Sequence, residues 1–230
     1  ENIDYTLLHR VLNNNNYIQH GLSNNEPITY KDNTLKIFNG VYNQINYSTI
    51  IKCGGNNESN PNKIGNRGKK DSALIIYESL LYKDSNILTY NQIIDSIENG
   101  LEHKGQYVKD YDYILIIDCD TDIESKGLNL LLTHIKNDKT CIAVCGQTIV
   151  KNKYENIITT IQYFEYFISH LLLKTYEHIL YKVFVLSGCF TLMKINHNDS
   201  TLINEHILNE YTKESKTLYQ KNLLQLGEDR

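Results

Sequence analysis

Asp118, Cys119 and Asp120 put two carboxylates two residues apart, directly after the apolar run from Tyr113 to Ile117. On an extended strand, residues i and i+2 point the same way, so both acids would face one spot. Close like charges repel unless a cation lies between them. Mg²⁺ or Mn²⁺ suits such hard oxygen donors and would take its remaining ligands from a diphosphate and water. The competing reading is a solvated loop that carries acids. A second feature is Asn66-Arg67-Gly68-Lys69-Lys70-Asp71. Gly68 permits close backbone approach, and basic side chains beside the exposed N–H groups of a following helix favour an anion. This is not a Walker A loop, whose first Gly has no counterpart at the right spacing. A basic surface turn is the plainer explanation. The third feature is Gly227-Glu228-Asp229-Arg230. An acid pair after an apolar helix supplies a general base, with Arg230 restraining one carboxylate, or else simply ends the helix.

Such residues need a scaffold. Tyr113 to Ile117 is apolar throughout, which suits a strand buried on both faces. Residues 141–145 and 47–53 read as further strands, 183–186 as another candidate, and 187–190 as a turn. Residues 54–71 read as a Gly/Asn/Pro loop. Helical patterns cover 72–82, with Asp71 or Ser72 as N-cap, then 91–101, 128–135 and 157–180. In the last, Ile157, Ile161, Phe164, Ile168, Leu171 and Leu172 recur at spacings of three and four. Gln162, Glu165, Ser169, His170, Lys174 and Glu177 interrupt any membrane reading of that stretch. Strands alternating with helices, each strand ending in polar residues, predict an α/β fold with a mixed, mostly parallel sheet flanked by helices. The site is then expected at the strand ends. Residues 1–45 are Asn-rich, poorly periodic, and read as loop and short helix. The expected organisation is that segment followed by a core over 46–230.

A chain of 230 residues suits one domain or two small ones. With 41% hydrophobic and 22% charged residues, wholesale disorder is excluded. The net charge of -4 shows no basic bias toward nucleic acid. No uninterrupted apolar run reaches the roughly 18 residues that span a bilayer. Cys53, Cys119, Cys141, Cys145 and Cys189 are odd in number and form no Cys-x-x-Cys pair, which argues against a disulfide framework or a zinc ribbon. Cys141 and Cys145 read as buried thiols, in keeping with a reducing compartment. Eighteen Tyr, no Trp and the Asn run at 13–16 fit A/T-rich coding. The chain starts at Glu1 and stops at Arg230, and reads as cut from something longer.

A basic loop, an acid pair suited to a metal and a later acid are the parts that a nucleotide-sugar glycosyltransferase needs. The cation and basic residues would offset charge on a leaving diphosphate, and the late carboxylate would take a proton from an acceptor hydroxyl. Six stretches then resemble, in family order, the catalytic domain of chitin synthases, processive family-two glycosyltransferases of the GT-A fold. They are NRGKKDS at 66–72, DCDT at 118–121, CGQT at 145–148, IQYFEYFISH at 161–170, LSGCF at 186–190 and KNLLQLGEDR at 221–230. The resemblance is to the division with an Asn-Arg-Gly-Lys-Arg-Asp-Ser loop, and runs from about Tyr42 to Arg230.

The resemblance implies UDP-N-acetylglucosamine as donor and a growing β-1,4 chitin chain as acceptor. Asp118 and Asp120 match the acids that hold UDP and its Mg²⁺ or Mn²⁺. Lys69 matches a basic residue near the nucleotide, within the loop that also holds Asp71. Asp229 matches the base for the acceptor 4-hydroxyl, beside Glu228. Gln162, Phe164 and Glu165 fall on a helix that lines the site, with core packing and helix polarity as the alternative explanation. Gly188 and Cys189 fall in the LSGCF turn. Lys70 stands where Arg is usual, which keeps charge but loses a bidentate contact. Gln147 replaces an acid, Ser187 replaces Pro and would loosen its turn, and Cys119 replaces Ala in what reads as a buried strand. The family's uracil-holding first strand has no clear match in 1–45, and its Gln-x-x-Arg-Trp element and membrane helices would lie beyond Arg230. The fragment alone is therefore expected not to make chitin. The whole protein is expected in the plasma membrane, with this domain facing the cytosol, and the resemblance allows a homo-oligomer. Rival readings are a hyaluronan- or cellulose-type synthase, disfavoured by the Phe-Glu-Tyr helix and LSGCF turn, a degenerate UDP-binding or scaffold domain, and a plain nucleotide-binding α/β domain.

Overall fold

Alternating burial sets the first sheet. In Ile28–Tyr30 (β1) and Asn33–Tyr42 (β2), the side chains of Ile28, Tyr30, Asn33, Leu35 and Ile37 are buried, and those of Thr29, Thr34 and Lys36 between them are more exposed. The computed structural model describes residues 27–42, 45–55, 65, 68–82, 87–98, 111–180, 183, 185–197, 200–201, 205–212 and 217–218. The elements continue with β3 (Ile45–Gly54), α1 (Gly68–Leu81), α2 (Leu88–Glu98), β4 (Tyr113–Ile117), α3 (Gly127–Asn137) and β5 (Ala143–Cys145). Then follow α4 (Ile157–Tyr166), a π-helical segment (Phe167–Leu173), α5 (Lys174–Ile179), β6 (Phe190–Lys194), β7 (Asn196–His197), β8 (Ser200–Thr201) and α6 (Glu205–Thr212). This mixed α/β architecture agrees with the GT-A-like fold that the resemblance implies. It divides into two compact units. One comprises Glu1–Tyr111 with Ile203–Thr212, the other Asp112–Leu202 with Lys213–Arg230.

In the first unit, β1, β2 and β3 form an antiparallel sheet in that order. A two-residue turn joins β1 to β2, with Lys31 in the left-handed region at φ 52. Ile75 of α1 and Ile93 of α2 pack onto the inward face. Within the stretch 1–45 expected as loop and short helix, residues 28–30 and 33–42 are therefore strand, while 1–26 and 43–44 lie outside the described residues. Sequence periodicity misses these strands because Asn33 and Asn39 take inward positions. Both are satisfied there. Asn33 Oδ1 accepts the Gly54 N–H at 2.7 Å, while Asn39 donates to Ser96 O at 2.6 Å and accepts from Ser48 Oγ at 2.7 Å.

Glu78 of α1 is buried beneath this sheet. It accepts the Tyr30 hydroxyl at 2.7 Å, the Tyr90 hydroxyl at 2.9 Å and Lys31 Nζ at 2.9 Å. Burial, then the bond to Glu78, hold both phenols well above the ordinary tyrosine value. Tyr77 is pushed up to about 12 by burial first and by Tyr211 second. A raised folded-state pKa means that the stabilising contribution is complete below the unfolded value of about 10 and is lost above it. The urea midpoint of this unit should be flat from about pH 8 to 9 and should fall steadily above about pH 10. Midpoints measured across that range would contradict the assignment if they stayed level to pH 12.

In the second unit the sheet order is β4-β6-β5. Every ladder among the described residues is antiparallel, which corrects the expectation of mostly parallel pairing. β4 and β5 do run in the same direction, but each bonds to β6 between them rather than to the other. An apolar run signals burial and carries no information on strand direction. β6 itself lies beyond the candidate at 183–186, where the described residues are not strand. Leu192 of β6 is buried with Leu131 and Ile135 of α3, and Leu115 and Val144 pack against them. β4 is half-buried rather than covered on both faces, and Ile117 is 42% exposed. Helix α4 starts where its capping box dictates: Thr159 N–H donates to Asn156 Oδ1 at 2.9 Å, and Asn156 N–H to Thr159 Oγ1 at 3.0 Å. The helical pattern expected over 157–180 is continuous from there to Ile179.

Candidate active site

Ile117, the last residue of β4, pairs with Phe190 at the start of β6. One step further, Asp118 N–H donates to Cys189 O at 3.2 Å. On the other edge Cys145, the last residue of β5, pairs with Thr191, and Gly146 N–H donates to Phe190 O at 2.9 Å. Main-chain bonds thus bring DCDT, CGQT and LSGCF to one end of one sheet. Gly146 is needed for the approach, since a Cβ there would lie 2.4 Å from Phe190 Cδ1. Gly188 and Cys189 are half-buried in the turn. Ser187 is buried. Its carbonyl accepts the Thr191 hydroxyl, and its Oγ lies 3.5 Å from Thr148 Oγ1. The carbonyl bond would be equally available to a Pro, so what Ser187 itself adds is the approach of its hydroxyl to Thr148 of CGQT.

The acid pair sits differently from its expected placement. The strand stops at Ile117, and residues 118–121 turn, closed by Thr121 N–H donating to Asp118 O at 3.1 Å. Asp118 is half-buried, while Asp120 and Cys119 are exposed. The two acids are therefore turn neighbours, not same-face residues of a strand, and Cys119 is not in a buried strand. Among the described residues no group of three or more His, Cys, Asp and Glu is placed to hold a metal ion. Two carboxylates are a hard oxygen set that fits Mg²⁺ or Mn²⁺ when diphosphate and water complete it.

Gln162, Phe164 and Glu165 of α4 are all exposed, Phe164 by 62%, so none of them is a core residue. Farther along the helix, Lys174 Nζ lies 3.7 Å from Cys145 Sγ and ties α5 to the end of β5. Sequence reading did not find that link, because a Lys–Cys contact 29 residues apart leaves no periodic signal.

The basic loop belongs to the other unit. Helix α1 begins at Gly68, whose φ of 88 favours glycine. Asp71 and Ser72 therefore lie inside the helix and do not cap it. Ser72 Oγ donates to Gly68 O at 3.3 Å, and Asp71 Oδ2 accepts Lys52 Nζ of β3 at 3.0 Å in a mostly buried ion pair. Lys52, which sequence reading passed over as a strand residue, thus anchors the start of the helix that carries Lys69. Lys70 Nζ sits 4.6 Å above the Tyr211 ring. Asn66, Arg67 and the stretch with Glu228 and Asp229 lie outside the described residues.

A family model described as chitin synthase matches residues 21–230. The chain belongs to the chitin synthase family. Chitin synthase 8 of Mycosarcoma maydis is 35% identical over 211 residues, covering 86% of this chain and 10% of that protein. Chitin synthase 6 of the same organism is 33% identical over 226 residues, 89% of this chain and 19% of the relative. Chitin synthase 5 of Cryptococcus neoformans var. grubii is 31% identical over 229 residues, 90% of this chain and 12% of the relative. The chain thus spans less than a fifth of the length of these curated relatives. No solved structure matches it. Among the described residues no helix is long and apolar enough to cross a membrane.

Proposed function

We propose that this domain carries N-acetylglucosamine transfer from UDP-N-acetylglucosamine to the 4-hydroxyl of a growing β-1,4 chitin chain. The observation that supports it most is the meeting of DCDT, CGQT and LSGCF at one sheet end, in a chain of this family. Asp118 and Asp120 would hold Mg²⁺ or Mn²⁺, which when bound offsets charge on the leaving diphosphate. Lys69 adds positive charge near the nucleotide, with its helix held through Asp71 and Lys52. Gly188 and Cys189 present their turn to the substrate, and Gln162, Phe164 and Glu165 lie on the helix that lines the site. Asp229, assisted by Glu228, takes the proton from the 4-hydroxyl. That oxygen then forms its bond to the anomeric carbon as the bond to UDP breaks, with inversion in a single displacement. The whole enzyme works in the plasma membrane with this domain facing the cytosol.

The test is incorporation of radiolabelled UDP-N-acetylglucosamine by membranes bearing the full-length protein. Chitinase-sensitive polymer should form with Mg²⁺, stop with a chelator and return with Mn²⁺. UDP binding without any polymer would replace this reading with a scaffold one.

A further inference from the structure

We infer that His170 is a sugar-binding residue of this domain, its imidazole Nδ1 exchanging a hydrogen bond with a hydroxyl of a neutral N-acetylglucosamine unit. This deepens, and rests on, the transferase reading above. Among the described residues, His170 Nδ1 is the buried side-chain nitrogen or oxygen that has no hydrogen-bond partner. Buried polar atoms are almost always paired, and one left open in a folded domain is costly. It is a natural position for a ligand atom.

The surroundings make the helix a poor source of that partner. The neighbouring Ser169 hydroxyl gives its one proton to Glu165 O at 2.9 Å and so is not available to Nδ1. The His170 ring instead stacks on the Tyr166 ring, with centroids 5.1 Å apart and planes 19° from parallel. His170 also lies on the π-helical segment, which moves side chains out of α register and recurs at functional sites. Lys174, one turn on, reaches Cys145 at the end of β5. That anchor connects the segment carrying His170 to the strand end where DCDT, CGQT and LSGCF meet.

Chemistry selects the ligand. Burial, then the Lys174 charge, hold the imidazole below its ordinary value and so keep it neutral. A neutral ring offers a diphosphate no charge, and Lys174 beside it repels a metal ion. A hydroxyl both donates and accepts, so it satisfies Nδ1 in either tautomer. The stacked Tyr166–His170 pair adds a flat apolar surface of the kind that a sugar ring packs against.

The probe is diethyl pyrocarbonate, which modifies neutral imidazole, with His170 read by peptide mass in the full-length protein. Chitotriose at about ten times its dissociation constant should slow modification about tenfold if the acceptor unit is bound, because only the unoccupied fraction reacts. UDP-N-acetylglucosamine protecting where UDP does not would assign the donor unit instead, and either result supports the inference. Equal modification with and without both sugars overturns it. His170→Phe keeps ring and volume and should lower kcat/KM for incorporation about tenfold or more with UDP inhibition unchanged. His170→Asn should recover part of that loss. A fully active His170→Phe enzyme also overturns the inference. Protection is measured on the unmodified protein, so a variant that fails to fold does not decide the question. Should the protein make no polymer while chitotriose still protects His170, the transferase reading fails and the sugar site stands.

Discussion

Asp118→Asn combined with Asp120→Asn in the full-length enzyme should lower the rate of chitin synthesis by about 10³-fold. Asparagine keeps the size of the side chain and leaves the main-chain bonds at 118, 121 and 189 in place. What disappears is both negative charges, and with them the oxygen pair that would hold a divalent cation against the leaving diphosphate. Metal stabilisation of such developing charge is worth several kcal/mol, and each ~1.4 kcal/mol is tenfold in rate. The two acids should not contribute equally. Asp118 is half-buried and its backbone is fixed to β6, whereas Asp120 is exposed on the turn. Asp118→Asn alone should therefore account for most of the loss. Initial rates against Mn²⁺ concentration check this, and a wild-type rate in the double variant would remove both residues from the chemistry. The same variant separates an enzyme from a scaffold, which would keep its cellular role.

The largest stability effect should come from Glu78→Ala. One buried carboxylate serves Tyr30, Tyr90 and Lys31. Truncating it leaves the Tyr30 hydroxyl without an acceptor in a residue that is 1% exposed, and opens a cavity under the sheet. Hydrogen bonds to a charged group are worth about 1.5–3 kcal/mol each, so losing the two phenol bonds should cost about 3–6 kcal/mol. Lys31 adds little because it is half-exposed. Against a domain stability of about 5–15 kcal/mol, that is enough to leave this unit marginal or unfolded near 37 °C. Urea titration followed by circular dichroism and tyrosine emission, in a chain without Trp, reads the effect. Tyr30→Phe should cost much less, because Glu78 keeps its other partners. A loss under about 1 kcal/mol in Glu78→Ala would show that the cluster is not a keystone of the unit.

Local pattern carried much of the fold. The helices expected over 72–82, 91–101, 128–135 and 157–180 are found at 68–81, 88–98, 127–137 and 157–179, and β4 and β5 follow from short apolar runs between polar residues. Where polar residues face inward the pattern failed. Asn33 and Asn39 hid β2, and the short FTLMK stretch of β6, with Thr191 buried at 3%, did not read as a sheet centre. The acid pair was legible as chemistry but not as geometry, since nothing in the residue types marks where β4 ends and the turn begins.

Residue types and their order alone determined the family, because six short stretches in sequence carry its identity whether or not they touch. They also determined the acid pair, the basic loop and the long helix as the places to look. Only the tertiary structure decided that three of those stretches share one sheet end, that Lys52 occupies Asp71, that Lys174 reaches Cys145, and that His170 keeps an open nitrogen. The first three of those facts are pairings between residues distant in the chain, and the fourth is the lack of one. Periodicity records which face of its own element a side chain takes, and the partner across the fold is fixed only when strands find their register and buried polar atoms find, or lack, their bonds.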